Sequence, residues 1–252
     1  MADSMPDTMV TIVPYFKVPA DKMDDFKAAM AGCSAAVKTG TPDCLFYGFT
    51  ICGDEVHCRE AYKSGEAAVQ HIKDVGEPLG KMAPFLQNIA VMGPAAELAK
   101  TKEAFDPIGA TYWETDSGSI AWPSRMPKAC PDTHVTIVPY WKVPDGKMEE
   151  FKASFEAFYS GVAGGTSDCL YYGFCCTGNK ALCREGYLNA EAVLQHVGKD
   201  VSDPLGKAVA LVGEGGLDIA VMGPASELEK LKPTFDAFGT KYWEVQDGAF
   251  WM

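Results

Sequence analysis

The feature that most constrains this chain is that its sequence contains itself twice. Val10-Thr-Ile-Val-Pro-Tyr-Phe-Lys-Val-Pro19 returns 125 positions later as Val135-Thr-Ile-Val-Pro-Tyr-Trp-Lys-Val-Pro144. The same offset carries Tyr47-Gly48-Phe49 to Tyr172-Gly173-Phe174, Cys58-Arg59-Glu60 to Cys183-Arg184-Glu185, and Gln70-His71 to Gln195-His196. The offset then grows: Pro78-Leu-Gly-Lys81 answers to Pro204-Leu-Gly-Lys207, and Ile89-Ala-Val-Met-Gly-Pro94 to Ile219-Ala-Val-Met-Gly-Pro224, now 130 positions on. It holds through Tyr112-Trp113-Glu114 and Tyr242-Trp243-Glu244. A length of 252 residues admits one large domain or two small ones, and a repeat of this kind selects two copies of one module. The expected organisation is a loose tail over 1–8, a first module over 9–116, a linker over 117–132 and a second module over 133–252. Prolines and small residues between Asp116 and Asp132 mark the linker, with Trp122 available to pack onto a module.

Periodicity predicts the elements of one copy. Residues 9–17 read as a strand, in which Pro14, like Pro139 in the second copy, lacks the N–H of a regular ladder; a bulge or an unpaired side is expected there. From Asp21 to about Val37, Met23, Phe26, Met30 and Cys33 or Ala36 recur at helical spacing. Cys44–Cys52 and Val56–Tyr62 flank the turn Gly53-Asp54-Glu55, replaced by Gly178-Asn179-Lys180 in the second copy, and form a hairpin. Ser64 caps a helix over Glu66–Val75, as Asn189 does ahead of Glu191. A strand at 88–92, a helix at 95–105 and a strand at 110–115 complete the copy. The order β-α-β-β-α-β is the ferredoxin-like unit of an α+β fold. Such a unit covers only one sheet face with helices. Two tandem ferredoxin-like modules are therefore expected to form an intramolecular pseudo-dimeric α/β barrel, with further homo-oligomerisation optional.

Composition removes several functions. With 47% hydrophobic and 22% charged residues the chain is not of a disordered class. No apolar run approaches the roughly 20 residues needed to span a bilayer, and the start lacks a basic stretch followed by an apolar run; a cytoplasmic location without a membrane partner is expected. A formal charge of −12 disfavours phosphate backbones, so no nucleic-acid partner is expected. The nine cysteines are odd in number, include the neighbours Cys175-Cys176 and sit in apolar runs, which suits reduced, mostly buried thiols. His57, His71, His134 and His196 show no metal-ligand spacing, and no metal or tightly held cofactor is expected. Gly213-Glu-Gly-Gly216 lacks the preceding strand and following Lys-Ser/Thr of a phosphate loop and reads as a connection.

The fold order, with Arg59-Glu60-x-Tyr62 on the third strand and Glu66-Ala67-x3-His71 on the next helix, resembles the antibiotic biosynthesis monooxygenase-like family of the dimeric α/β-barrel superfamily. Arg184-Glu185-x-Tyr187 and Glu191-Ala192-x3-His196 repeat the signature. The resemblance covers both copies, about 9–115 and 134–245, and this chain looks like a fused version of a single-module homodimer. It implies a cofactor-independent monooxygenase acting on a small phenolic, quinol or conjugated substrate. The alternative is a non-catalytic small-ligand-binding or structural protein of the same fold. The asparagine of haem-degrading relatives has no counterpart, since Asn88 answers to Asp218.

Ala68, His71, Ile72 and Val75 share one helical stripe, which turns His71, and by repeat His196, inward. An inward imidazole can serve as acid, base or donor to a ligand oxygen, or it can be a satisfied core histidine. Strand alternation puts Cys58, Glu60 and Tyr62 on one face and Arg59 on the other. A Glu60–Tyr62–His71 cluster can therefore form, repeated as Glu185–Tyr187–His196, in a catalytic or a purely structural network. Arg59 and Arg184 read as inter-sheet or surface salt bridges. Tyr15, Tyr47, Phe49 and Trp113, with Tyr140, Tyr172, Phe174 and Trp243, offer core or the walls of a pocket for a small apolar or aromatic molecule; of these, Tyr47, Phe49, Trp113, Tyr172, Phe174 and Trp243 are the candidate substrate-binding residues. Cys58 and Cys183 adjoin an arginine in sequence but face away from it, which favours inert thiols. His57 and His134 answer to Leu182 and Met9, so a function shared by both copies cannot need them.

Overall fold

Each copy of the repeat builds the expected strands and helices. The computed structural model describes residues 4–252. Its elements in chain order are β1 (Met5–Pro6), β2 (Val10–Lys17), α1 (Met23–Gly40), β3 (Cys44–Cys52), β4 (Glu55–Tyr62), α2 (Gly65–Asp74), α3 (Gly76–Met82), β5 (Leu86–Gly93), α4 (Ala95–Phe105), β6 (Thr111–Thr115) and β7 (Ile120–Ala121). There follow β8 (Cys130–Pro131), β9 (Val135–Lys142), α5 (Met148–Lys152), α6 (Phe155–Gly165), β10 (Cys169–Thr177), β11 (Lys180–Tyr187) and α7 (Ala190–Gln195). A π-helical turn (His196–Asp200), α8 (Ser202–Val212), β12 (Leu217–Gly223), α9 (Ala225–Phe235), β13 (Lys241–Val245) and β14 (Phe250–Trp251) complete the chain. The α+β class and the ferredoxin-like order of each module are as expected.

The chain divides into two compact units. One holds residues 8–114, 127–132 and 244–252. Its strands run in the order β3–β4–β2–β5–β6, antiparallel except for β5 against β6. Val10, Ile12 and Phe16 of β2 meet Tyr47, Phe49, Cys58 and Tyr62 of the hairpin and Phe26, Met30 and Cys33 of α1 in one core. The β2–β4 pairing passes from Ile12–Glu60 to Tyr15–His57, and the register against β5 shifts between Tyr15 and Phe16. The irregularity expected at Pro14 is thus present. It recurs where β9 skips from Ile137–Glu185 to Tyr140–Leu182.

The other unit holds residues 115–126 and 133–243 with the segment ending at Asp7. Its strands run β1–β7–β10–β11–β9–β12. Trp141, Phe151, Phe155, Phe158 and Phe174 dominate its core, with Phe155 stacked on Phe174 at 4.0 Å between centroids.

The segments read as tail and linker are held in place. Met1 to Asp3 lie outside the described residues; beyond them β1 pairs with β7, and buried Asp7 meets the Arg184 guanidinium at 2.8 Å. In the stretch 117–132, β7 joins β10, Trp122 is buried under Arg125, and buried Asp132 takes Arg59 Nη2 at 2.8 Å and Trp251 Nε1 at 3.0 Å. Residues 244–252 group with the first module, β14 pairing with β3. Sheet edges carry unpaired backbone groups that short strands can satisfy, and a buried guanidinium needs a carboxylate; neither demand shows in the local composition. The arginine pairs are accordingly buried, not surface, bridges. Helix α3 is a further element without a periodic signal, because Gly76, Pro78 and Gly80 conceal it; Pro78 lies in the first turn, where its missing N–H is tolerated. All nine cysteines are unbridged, and no described helix is long and apolar enough to cross a membrane.

Candidate functional site

Helix α2 begins where Ser64 Oγ accepts the Ala67 N–H at 3.2 Å, and α7 where Asn189 Oδ1 accepts that of Ala192 at 2.9 Å. From these caps the helical spacing delivers His71 and His196 to the interior, each 3% exposed. Alternation on β4 and β11 delivers the carboxylates. His71 Nε2 lies 3.1 Å from Glu60 Oε2, which also accepts the Tyr62 hydroxyl. His196 Nε2 lies 3.2 Å from Glu185 Oε2, which likewise accepts the Tyr187 hydroxyl. Each imidazole rests between two tyrosine rings, Tyr47 and Tyr62 in one module and Tyr172 and Tyr187 in the other. The Nδ1 atoms of both histidines are buried without a hydrogen-bond partner. With Nε2–H donating to the glutamate Oε2, Nδ1 carries the free lone pair.

In the first module burial pushes the Glu60 carboxyl up to about 8, against the hydrogen bonds from Tyr62 and Cys58. Burial likewise pushes the His71 imidazole down to about 3, although Asp74 pulls it up. Both groups are therefore neutral near pH 7. The Cys58 and Cys183 thiols are pushed well up by burial, with Glu60 or Glu185 adding to it, so neither is a ready nucleophile.

The two clusters border cavities of different size. In the first module a cavity of about 110 Å³ is lined by residues that include Phe16, Tyr47, Phe49, Glu60, His71 and Met82. In the second, a cavity of about 410 Å³ is lined by Trp141, Phe158, Tyr172, Phe174, Glu185 and His196 among others. Sequence reading thus brought Tyr47, Phe49, Tyr172 and Phe174 to cavity walls, but Trp113 and Trp243 do not line them. Their neighbours Tyr112 and Tyr242 pack on the helix-covered cores instead, which turns each tryptophan to the opposite strand face. Tyr15 and Tyr140 also lie off the cavities for the same reason, since Phe16 and Trp141 take the inward positions. Trp141 was missed as a wall residue, although Ile137, Pro139 and Trp141 at alternate positions on β9 carry the signal. Among the described residues no group of three or more His, Cys, Asp or Glu side chains is placed to hold a metal ion.

No protein-family model and no curated protein matches the chain. Solved structures do. A presumed monooxygenase from Fusobacterium nucleatum aligns with TM-score 0.59 at 13% identity, covering 85% of this chain and 91% of its own. Another, from Lactobacillus acidophilus, aligns with TM-score 0.57 at 13% identity, covering 84% and 92%. This chain shares the fold of antibiotic biosynthesis monooxygenase-like proteins. Both neighbours are matched over most of both chains, so the likeness extends across the two modules. MupZ from Pseudomonas fluorescens is 26% identical over 44% of this chain and 92% of its own, with TM-score 0.41.

Proposed function

We propose that the protein is a cofactor-independent monooxygenase acting on a small phenolic, quinol or similarly conjugated substrate. The observation that carries this reading is the His196–Glu185 pair in the wall of an apolar cavity of about 410 Å³, with the Tyr187 hydroxyl held by Glu185 behind it. Such a volume is of the size that takes small ligands. His196 Nδ1, with Nε2–H held by Glu185, is the base that removes the substrate hydroxyl proton. His71 with Glu60 and Tyr62 is the matching set in the first module.

The chemistry balances without an added reductant. The electron-rich anion transfers electrons to dioxygen and a carbon–oxygen bond forms to give a hydroperoxide. Its O–O bond then breaks, the ring C–H is lost, one oxygen stays as a carbonyl and the other leaves as water carrying the proton that His196 held. A phenol and O2 thereby become a quinone and water, the substrate supplying all the electrons. Aromatic walls at Tyr172, Phe174, Phe158 and Trp141 suit a flat conjugated ring.

Dioxygen uptake with a panel of quinols and enediols tests the proposal. Turnover by the wild type that falls at least 100-fold in the His71→Ala, His196→Ala double variant is expected. No turnover across the panel favours the alternative, a protein that binds a small apolar ligand without transforming it, and unchanged turnover in the double variant overturns the histidine assignment.

A further inference from the structure

We propose that ligand enters the second module alone, because one inserted residue, Gly198, and one missing side chain, that of Met82, open its cavity; this rests on that cavity being the substrate site. The first copy runs His71-Ile-Lys-Asp-Val-Gly-Glu-Pro78 and the second His196-Val-Gly-Lys-Asp-Val-Ser-Asp-Pro204, one residue longer. Both ends of the stretch are pinned alike. Upstream, each histidine holds its glutamate. Downstream, Thr41 Oγ1 donates to Asp74 Oδ2 at 2.6 Å, and the equivalent Thr166 Oγ1 to Asp200 Oδ2 at 2.5 Å. The extra residue has to be absorbed between His196 and Asp200.

It is absorbed as a π-helical turn over His196–Asp200, where α2 continues as regular α-helix to Asp74. A single added residue widens an α-helical turn in this way, often beside a functional site. Gly198 at the turn lines the large cavity. The facing helix is adapted to it: a Cβ at Gly161 of α6 would overlap the Asp200 carbonyl oxygen, whereas the first copy carries Ala36 at that position.

Side chains complete the difference. Met82, with no exposed surface, fills space beside the first cavity and receives Cys33 Sγ at 3.7 Å from its sulfur. Its counterpart one position after the shared Pro-Leu-Gly-Lys is Ala208. Where the first module has Phe16, the second has Trp141, whose buried indole N–H has no partner and supplies a donor that the first module lacks. The first cavity is the smaller and the second the larger, with Gly198 in the wall of the second and the short Ala208 answering in sequence to the Met82 that lines the first.

The test is titration of the full chain with 1-naphthol by isothermal calorimetry in the absence of dioxygen, read as stoichiometry and affinity and independent of turnover. One site per chain is expected for the wild type. Deleting Gly198, or installing the plug with Ala208→Met, is expected to weaken that site at least tenfold with an unchanged circular dichroism spectrum. Met82→Ala is expected to create a second, weaker site. Two equal sites in the wild type, no binding at all, or full affinity in Ala208→Met overturns the proposal. Naphthol bound at one site by a protein that oxidises no substrate overturns the monooxygenase reading and leaves this one standing.

Discussion

Raising the pH from 6.5 to 8 is expected to weaken the first module by roughly 2 kcal/mol through Glu60 alone. The carboxyl is pushed from its ordinary 4.5 up to about 8 by burial. A group whose folded pKa is raised contributes stability that is full below the unfolded value and is lost as pH rises through the folded one. His71 acts in the opposite sense: pushed from 6.5 down to about 3, it stabilises above 6.5 and that contribution is lost as pH falls through 3. Between 4.5 and 6.5 the two slopes cancel, at about 1.4 kcal/mol per pH unit each. Above 6.5 only Glu60 still acts, and the span to 8 yields the roughly 2 kcal/mol. Glu60→Gln keeps the shape and removes the titration. Urea unfolding of wild type and variant at a series of pH values, with hydrogen exchange over β4 and α2 as the local readout, isolates the effect from other ionising groups. Wild type should lose this stability between pH 6.5 and 8 and the variant should not. Parallel curves through that window would refute the reasoning, for they would mean that Glu60 is already ionised in the folded chain.

Other outcomes follow from the same structure. Asp7→Ala, which takes a carboxylate from the buried Arg184, is expected to cost about 3 kcal/mol in denaturant unfolding, against the under 0.5 kcal/mol typical of a loose tail. Gly161→Ala forces a methyl against the Asp200 carbonyl; a loss of about 1–3 kcal/mol, with faster amide exchange in residues 196–200, is expected. Titration of the native protein with a thiol reagent should label Cys52, Cys130 and Cys176, the half-buried thiols, well before the buried six; early labelling of Cys58 or Cys183 would contradict their packing.

The site was legible to the extent that it depends on short-range periodicity. A helical stripe turned His71 and His196 inward, and two-residue alternation joined them to Glu60 and Glu185 and to Tyr62 and Tyr187. Trp113 and Trp243, candidates on aromatic character alone, lie off the cavities because which face of the last strand the helices cover is set by tertiary packing, and Tyr112 and Tyr242 take that face. On β9, which face was inward could have been read from Val135 and Ile137, and Trp141 follows from it.

What this sequence determined by itself is therefore the repeat, the order of elements in each copy and the grouping of carboxylate, phenol and imidazole, because those rest on spacings of two to four residues that backbone geometry enforces wherever the chain lies. Only the tertiary structure decided that the acidic start and the proline-rich stretch carry Asp7 and Asp132 to buried arginines, and that one copy keeps a cavity of about 110 Å³ with Met82 in its wall while the other keeps one of about 410 Å³. Pairing across a sheet edge and the volume left between packed elements depend on partners far away in sequence, and no local pattern records them.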